Sequence, residues 1–159
     1  MRMLLFAVVA IAALGLLASA QSKSLEGVWS LTEISTSGPE NAIRHMSQPS
    51  MYLFTKKHYS IIYVNDDKAR PDVDMNSATA DQLRSTFVDS FVANAGTYEY
   101  KGGKLTVHPM VAKAPSYMAT GTWSAWTVKG DGDSMTLVSD SSNAGPETNP
   151  TTFKLKRVE

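Results

Sequence analysis

Glu99 and His108 are the residues best placed for acid–base chemistry. They flank Gly102-Gly103, a dipeptide that signals a two-residue hairpin turn. Counting outward from that turn, Lys101 faces Lys104, Tyr100 faces Leu105 and Glu99 faces Thr106. Glu99 and His108 then lie diagonally on one face, within reach of each other's side chains. An imidazole that titrates near neutrality beside a carboxylate suits proton transfer or the orientation of a ligand. The competing reading is a solvated or core-satisfied histidine, the more common fate of a lone His on a strand. The other histidines, His45 and His58, form no H-x-H or H-x-x-x-H pair with it, so no metal centre is expected. Asp72-Val73-Asp74-Met75-Asn76 imitates the start of a calcium loop. Ser77 stands where that loop needs glycine and Leu83 where it needs glutamate, so the motif fails. There is no G-x-S-x-G, no G-x-G-x-x-G and no phosphate-binding loop. With no cysteine there is no thiol nucleophile, thiolate metal site or disulfide, and no cofactor is expected.

Fifteen basic and fifteen acidic side chains balance, without a basic block. Such a chain is a poor partner for nucleic acid or an anionic membrane. The N-terminus reads Met1-Arg2-Met3, an apolar run from Leu4, then Ala18-Ser19-Ala20. A positive start, a short apolar stretch and an A-x-A site are the marks of a cleaved secretory leader over residues 1–20. The run is short for a membrane anchor, and no cysteine follows it to carry a lipid. The expectation is an exported domain, 21–159, periplasmic or secreted. The absence of cysteine favours a bacterial source.

The elements that must hold these residues are mostly strands. Residues 25–34 alternate, with Leu25, Gly27, Trp29 and Leu31 on one face. Residues 35–49 read as a loop broken at Gly38-Pro39. Residues 50–55 and 58–64 form a hairpin across Lys56-Lys57, and 65–77 form a polar loop. Thr79-Ala80-Asp81-Gln82 is a capping-box pattern that opens a helix. Leu83, Phe87 and Phe91 then recur every fourth residue with Val88 and Val92 beside them, and Gly96 stands as a C-cap. This predicts a helix of about fifteen residues that needs tertiary packing to persist. Strands resume at 97–101, 104–110, 120–129, 134–139 and 151–158. Eight antiparallel strands with one inserted helix suggest a sandwich or a closed barrel, whose interior is filled or holds one small ligand.

Two places favour the barrel. Gly27-Val28-Trp29 lies on the first strand, and on the last Arg157 shares a face with Phe153 and Leu155, opposite Lys154 and Lys156. Here the chain resembles the lipocalin and calycin barrels. The resemblance implies that Trp29 is buried at the closed end with Arg157 packed over its indole, a cation–π contact worth about 1 kcal/mol. Across residues 25–159 the chain is similar to the bacterial and fungal lipocalin-like branch. That likeness rests on Leu25-Glu26-Gly27-Val28-Trp29-Ser30-Leu31, on Gly96-Thr97-Tyr98 after a central helix, and on Leu105-Thr106-Val107-His108. It implies an eight-stranded antiparallel lipocalin-like barrel with a mid-chain helix and no C-terminal helix. It assigns no chemistry, because most of that branch has no assigned function.

The favoured functional reading is a barrel that binds a small apolar or amphipathic molecule. Tyr98, His108, Met110, Trp123, Phe87 and Phe91 are the expected ligand contacts. Residues 79–95 would act as a lid, with Leu83, Phe87 and Phe91 facing the barrel. Trp123 and Trp126 have opposite parity, so only one is expected to face inward. The alternatives are an isomerase or cyclase using Glu99 and His108, which an exported chain disfavours, and a filled barrel that acts through its surface in the cell envelope.

Overall fold

The computed structural model describes residues 24–39 and 41–159; the leader expected at 1–20 lies outside them. The described chain is one antiparallel barrel. Its strands are β1 (Gly27–Thr36), β3 (Ser50–Phe54), β4 (His58–Val64), β5 (Phe91–Lys101), β6 (Lys104–Ala112), β7 (Ser124–Asp131), β8 (Ser134–Ser142) and β10 (Thr151–Arg157). Two short strands, β2 (Ile43–His45) and β9 (Gly145–Pro146), lie against β1 and β8. β10 pairs with both β1 and β8, so the eight longer strands close the sheet on itself. Closure leaves none of them with a free edge along its whole length.

Inward residues follow the pleat. Trp29 and Leu31 of β1, Tyr52 and Phe54 of β3, Leu105 and Val107 of β6, and Met135 and Leu137 of β8 are all buried in one core. A β-bulge between Leu31 and Glu33 resets the alternation of β1, so that Ile34 is the next residue to point inward. Gly27 adopts φ +128°, and a Cβ there would strike Arg157 and the Glu159 carbonyl. The glycine of the G-x-W pattern is therefore required by the close approach of the chain's last residues.

The helix is shorter than the sequence predicts. The capping box is present: Gln82 donates its backbone N–H to Thr79 Oγ1 at 3.3 Å, and its side chain accepts the Thr79 N–H at 2.9 Å. The helix α1 (Ala80–Leu83) then widens into a π-helical turn, Arg84–Asp89, and stops at Ser90. The Ser90 hydroxyl lies within hydrogen-bond range of the Ser85 and Thr86 carbonyls and donates into that last turn. From Phe91 onward the chain is strand, pairing Val64 with Phe91 through to Tyr59 with Gly96. Residues 91–96 carry an apolar period that suits a helix, but in the barrel they sit between β4 and β6 and gain ladder bonds on both sides. Tertiary pairing outweighs local preference here. Gly96 is accordingly not a helix cap. It lies opposite Pro109, beside a bulge that leaves Met110 of β6 unpaired, and a Cβ there would collide with the His108 carbonyl.

Candidate functional site

A cavity of about 520 Å³ opens at one end of the barrel. Its deeper wall is apolar and aromatic. The Tyr52 and Tyr63 rings are stacked with centroids 6.0 Å apart, Phe153 meets Tyr63 edge-on at 6.4 Å, and Trp126 meets Phe153 edge-on at 5.3 Å. Offset and edge-on pairs are the favoured aromatic geometries, so four side chains from β3, β4, β7 and β10 form one continuous wall. Leu105, Val107 and Leu137 complete it.

Toward the mouth the same inward faces turn to hydroxyls. On β8, Met135 and Leu137 are followed by Ser139 and Ser141; on β10, Leu155 and Phe153 give way to Thr151. Ser124 and Thr122 contribute from β7 and its approach. Ser139 Oγ accepts the Thr151 N–H at 2.8 Å, and Trp126 Nε1 donates to Ser124 Oγ at 3.2 Å. Tyr117, on a 3₁₀ turn over Pro115–Met118, overhangs the opening. Glu147 is the one acidic side chain of the wall, which contains no Lys, Arg or His.

The phenols inside the barrel are held in their neutral form. Burial pushes Tyr52 well above its ordinary value, and the nearby Tyr63 adds to that. Tyr63 is pushed up to about 12, first by burial, with Arg44 pulling the other way and Tyr117 raising it further. Tyr59 is raised by burial and by Tyr117, and no group among the described residues hydrogen-bonds its hydroxyl. No group of three or more His, Asp or Glu side chains that could hold a metal occurs among the described residues.

The expected site residues separate. Trp123 lines the cavity. So does Trp126, which pairs with the inward Leu105, while Trp123 precedes the start of β7 at Ser124 and is not bound by that strand's alternation. Tyr98 points into the core but lines no cavity; it packs edge-on against Phe54 and donates to the Thr55 carbonyl at 2.6 Å. On β6, Leu105, Val107 and Pro109 face the interior, which places Thr106, His108 and Met110 on the outer face. Met110 is 66% exposed. Glu99 is exposed on that outer face too, paired with Thr106 while Thr97 pairs with His108. Phe87 and Phe91 lie beside the barrel, with the Arg70 guanidinium 6.0 and 4.9 Å from their ring centroids. No residue of α1 or of the π turn lines the cavity, so the helix does not lid it. The residues that do line it and were not foreseen, chiefly Tyr52, Tyr63, Phe153, Ser139 and Ser141, share the inward parity of their strands' buried neighbours. That parity was the available signal.

The opposite end is closed. Trp29 is buried there, its Nε1 donating to the Leu25 carbonyl at 2.9 Å. Arg157 lies across the indole with its guanidinium carbon 4.0 Å from the ring centroid. The guanidinium also donates to the Glu26 and Glu159 carbonyls at 2.8 and 3.2 Å. Eight strands closed into a barrel, a tryptophan at one end under an arginine of the last strand, and a cavity at the other decide the architecture. The fold is lipocalin-like. A more open cleft of about 770 Å³ surrounds Arg157 at the closed end. Its arginine is already committed to closing the lipocalin-like barrel, so the enclosed aromatic cavity is the better site.

No protein-family model matches the chain, and no curated protein matches its sequence. Among solved structures, a lipocalin-like protein from Bacteroides uniformis aligns over 84% of this chain and 97% of its own, at 14% identity and a TM-score of 0.47. An uncharacterized protein from Bacteroides eggerthii aligns over 82% of this chain and 98% of its own, at 12% identity and a TM-score of 0.45.

Proposed function

We propose that this chain is an exported binding protein that holds one small apolar or amphipathic molecule in the open end of its barrel. The observation that carries the reading is the cavity itself: about 520 Å³, with an aromatic wall below and hydroxyls at the mouth. Ligand pockets of about 300–1,000 Å³ with apolar walls and a few polar groups are the usual size and make-up for small-molecule sites. The outward placement of Glu99 and His108 argues for binding over cavity-based acid–base catalysis. Export rests on the leader pattern of residues 1–20.

Native mass spectrometry of the protein from an exporting host tests both parts. The reading expects a polypeptide beginning at Gln21 that carries a discrete added mass lost on denaturation. Ser139→Trp, at a position that lines the cavity opposite Trp126, should fill the cavity and abolish the adduct while leaving the far-ultraviolet circular dichroism unchanged. A bare polypeptide, together with no change in tryptophan fluorescence on titration with naphthyl probes, would refute the binding reading. A retained leader would refute export.

A further inference from the structure

We infer that the cavity selects an uncharged molecule whose polar end offers hydrogen-bond acceptors, such as a ketone, ester or ether oxygen, and that it discriminates against carboxylates. The inference rests on the binding reading above and specifies its ligand class.

Tyr52 and Tyr63 line the aromatic wall, and no side-chain hydrogen bond among the described residues involves either hydroxyl. Each can donate one proton to a guest. Three of the five serines that line the cavity already accept a hydrogen bond: Ser139 from the Thr151 N–H, Ser124 from the Trp126 indole and Ser142 from the Ala144 N–H. A hydroxyl that has accepted still has its own proton to give. The wall therefore offers unspent donors at two depths, and a guest with acceptor oxygens satisfies them.

Charge narrows the class. The cavity wall contains no Lys, Arg or His, and Glu147 stands at the mouth. A carboxylate drawn in would lose water without gaining a counter-ion, and would face Glu147 as well. Neither of the cations nearby lines the cavity, and each directs its hydrogen bonds elsewhere. Arg44, whose field reaches Tyr63, holds the Asn65 side-chain oxygen at 2.9 Å and the Asn65 carbonyl at 3.4 Å. The Lys113 ammonium is held by the Val88 and Phe91 carbonyls. Burial keeps the Tyr52 and Tyr63 phenols protonated, so they remain donors at every ordinary pH.

Three naphthalenes of similar size separate the terms: naphthyl methyl ketone, ethylnaphthalene and naphthoate, titrated by calorimetry into the intact protein at neutral pH. The ketone should bind about fivefold or more tighter than ethylnaphthalene, the worth of one net hydrogen bond. It should bind about tenfold or more tighter than naphthoate. Tyr52→Phe or Tyr63→Phe should shrink the ratio of ketone to ethylnaphthalene affinity toward one. Glu147→Gln should raise naphthoate affinity alone. Naphthoate binding as tightly as the ketone overturns the selectivity and leaves the cavity reading intact. So does a ketone preference that survives in both phenylalanine variants and in Ser139→Ala. Failure of all three naphthalenes to bind, ethylnaphthalene included, overturns the cavity reading and the selectivity with it.

Discussion

Replacing Arg157 with glutamine should unlatch the closed end of the barrel, and the contacts of its guanidinium set the size of the effect. The guanidinium sits 4.0 Å from the Trp29 ring centroid and is 27% exposed, which makes the cation–π contact worth about 1 kcal/mol. Its 2.8 Å bond to the Glu26 carbonyl is charge-assisted and adds about 1.5 kcal/mol. The bonds to the Glu159 and Gly132 carbonyls, at 3.2 and 3.4 Å, are long and together add about 0.5 kcal/mol. Asp133 stands 4.0 Å away with its side chain 83% exposed, and such a pair contributes almost nothing. Water recovers part of the carbonyl bonding in the variant, so the expected loss is about 2–3 kcal/mol. Arg157→Lys keeps the charge but has no planar fork to cover the indole and bridge the carbonyls, and should lose about half as much. Asp133→Ala should stay within about 0.5 kcal/mol of wild type. Urea unfolding followed by tryptophan fluorescence reads all three. A loss below about 0.5 kcal/mol for Arg157→Gln, or equal losses for glutamine and lysine, would refute the view that the arginine fork closes the barrel over Trp29.

The buried phenols make stability fall in alkali. In the unfolded chain tyrosines ionise near pH 10, whereas Tyr52, Tyr59 and Tyr63 hold their protons to higher pH in the fold. The unfolded state therefore sheds protons first, and stability is full below about pH 10 and declines above it by up to about 1.4 kcal/mol per pH unit per tyrosine. Urea midpoints that stay flat from pH 9 to pH 12 would contradict this. Tyr59→Phe removes a buried hydroxyl that has no protein partner; it should stabilise by about 1 kcal/mol at neutral pH and reduce the alkaline slope, and a clear loss on thermal unfolding would count against it. His108→Ala and Phe87→Ala, outside the cavity, should leave naphthyl-probe affinity within about twofold, less than one hydrogen bond's worth; a tenfold loss in either would mean that the ligand sits elsewhere. Gly96→Ala puts a methyl into the His108 carbonyl and should cost about 2 kcal/mol or more, or leave the protein insoluble.

The strands were legible because a half-buried strand alternates and its turns are punctuated. Gly102-Gly103 fixed the β5–β6 register residue by residue, and the structure pairs Lys101 with Lys104 and Glu99 with Thr106. What alternation could not reveal is where the count slips. The bulges at Leu31/Glu33, Ala95/Gly96 and Ala125/Trp126 are settled by neighbouring strands. Nor could alternation reveal where a strand begins: β7 starts at Ser124, so Trp123 joins Trp126 in lining the cavity against parity. The helix fails for a related reason: residues 91–96 suit a helix in isolation, and only the presence of β4 and β6 on either side makes them a strand.

The placement of His108 was decidable earlier. On β6 the choice lay between a face of Thr106, His108 and Met110 and a face of Leu105, Val107 and Pro109. A closed barrel buries its more apolar face, and taking the histidine face as the cavity set a functional appeal against that rule. The same rule, followed along the strands, reaches the mouth as well. Met135, Leu137 and Ser139 share one parity and pass from apolar to hydroxyl; Leu155, Phe153 and Thr151 do so on the strand beside it, read in the opposite direction. A purely filled barrel has little use for that gradient, because a buried serine must find a partner. Two adjacent strands that turn polar at the same end mark where the core stops and water or a guest begins. The open end was therefore written in the order of residues on a single face, and the identity of individual aromatic or titratable residues was the weaker guide.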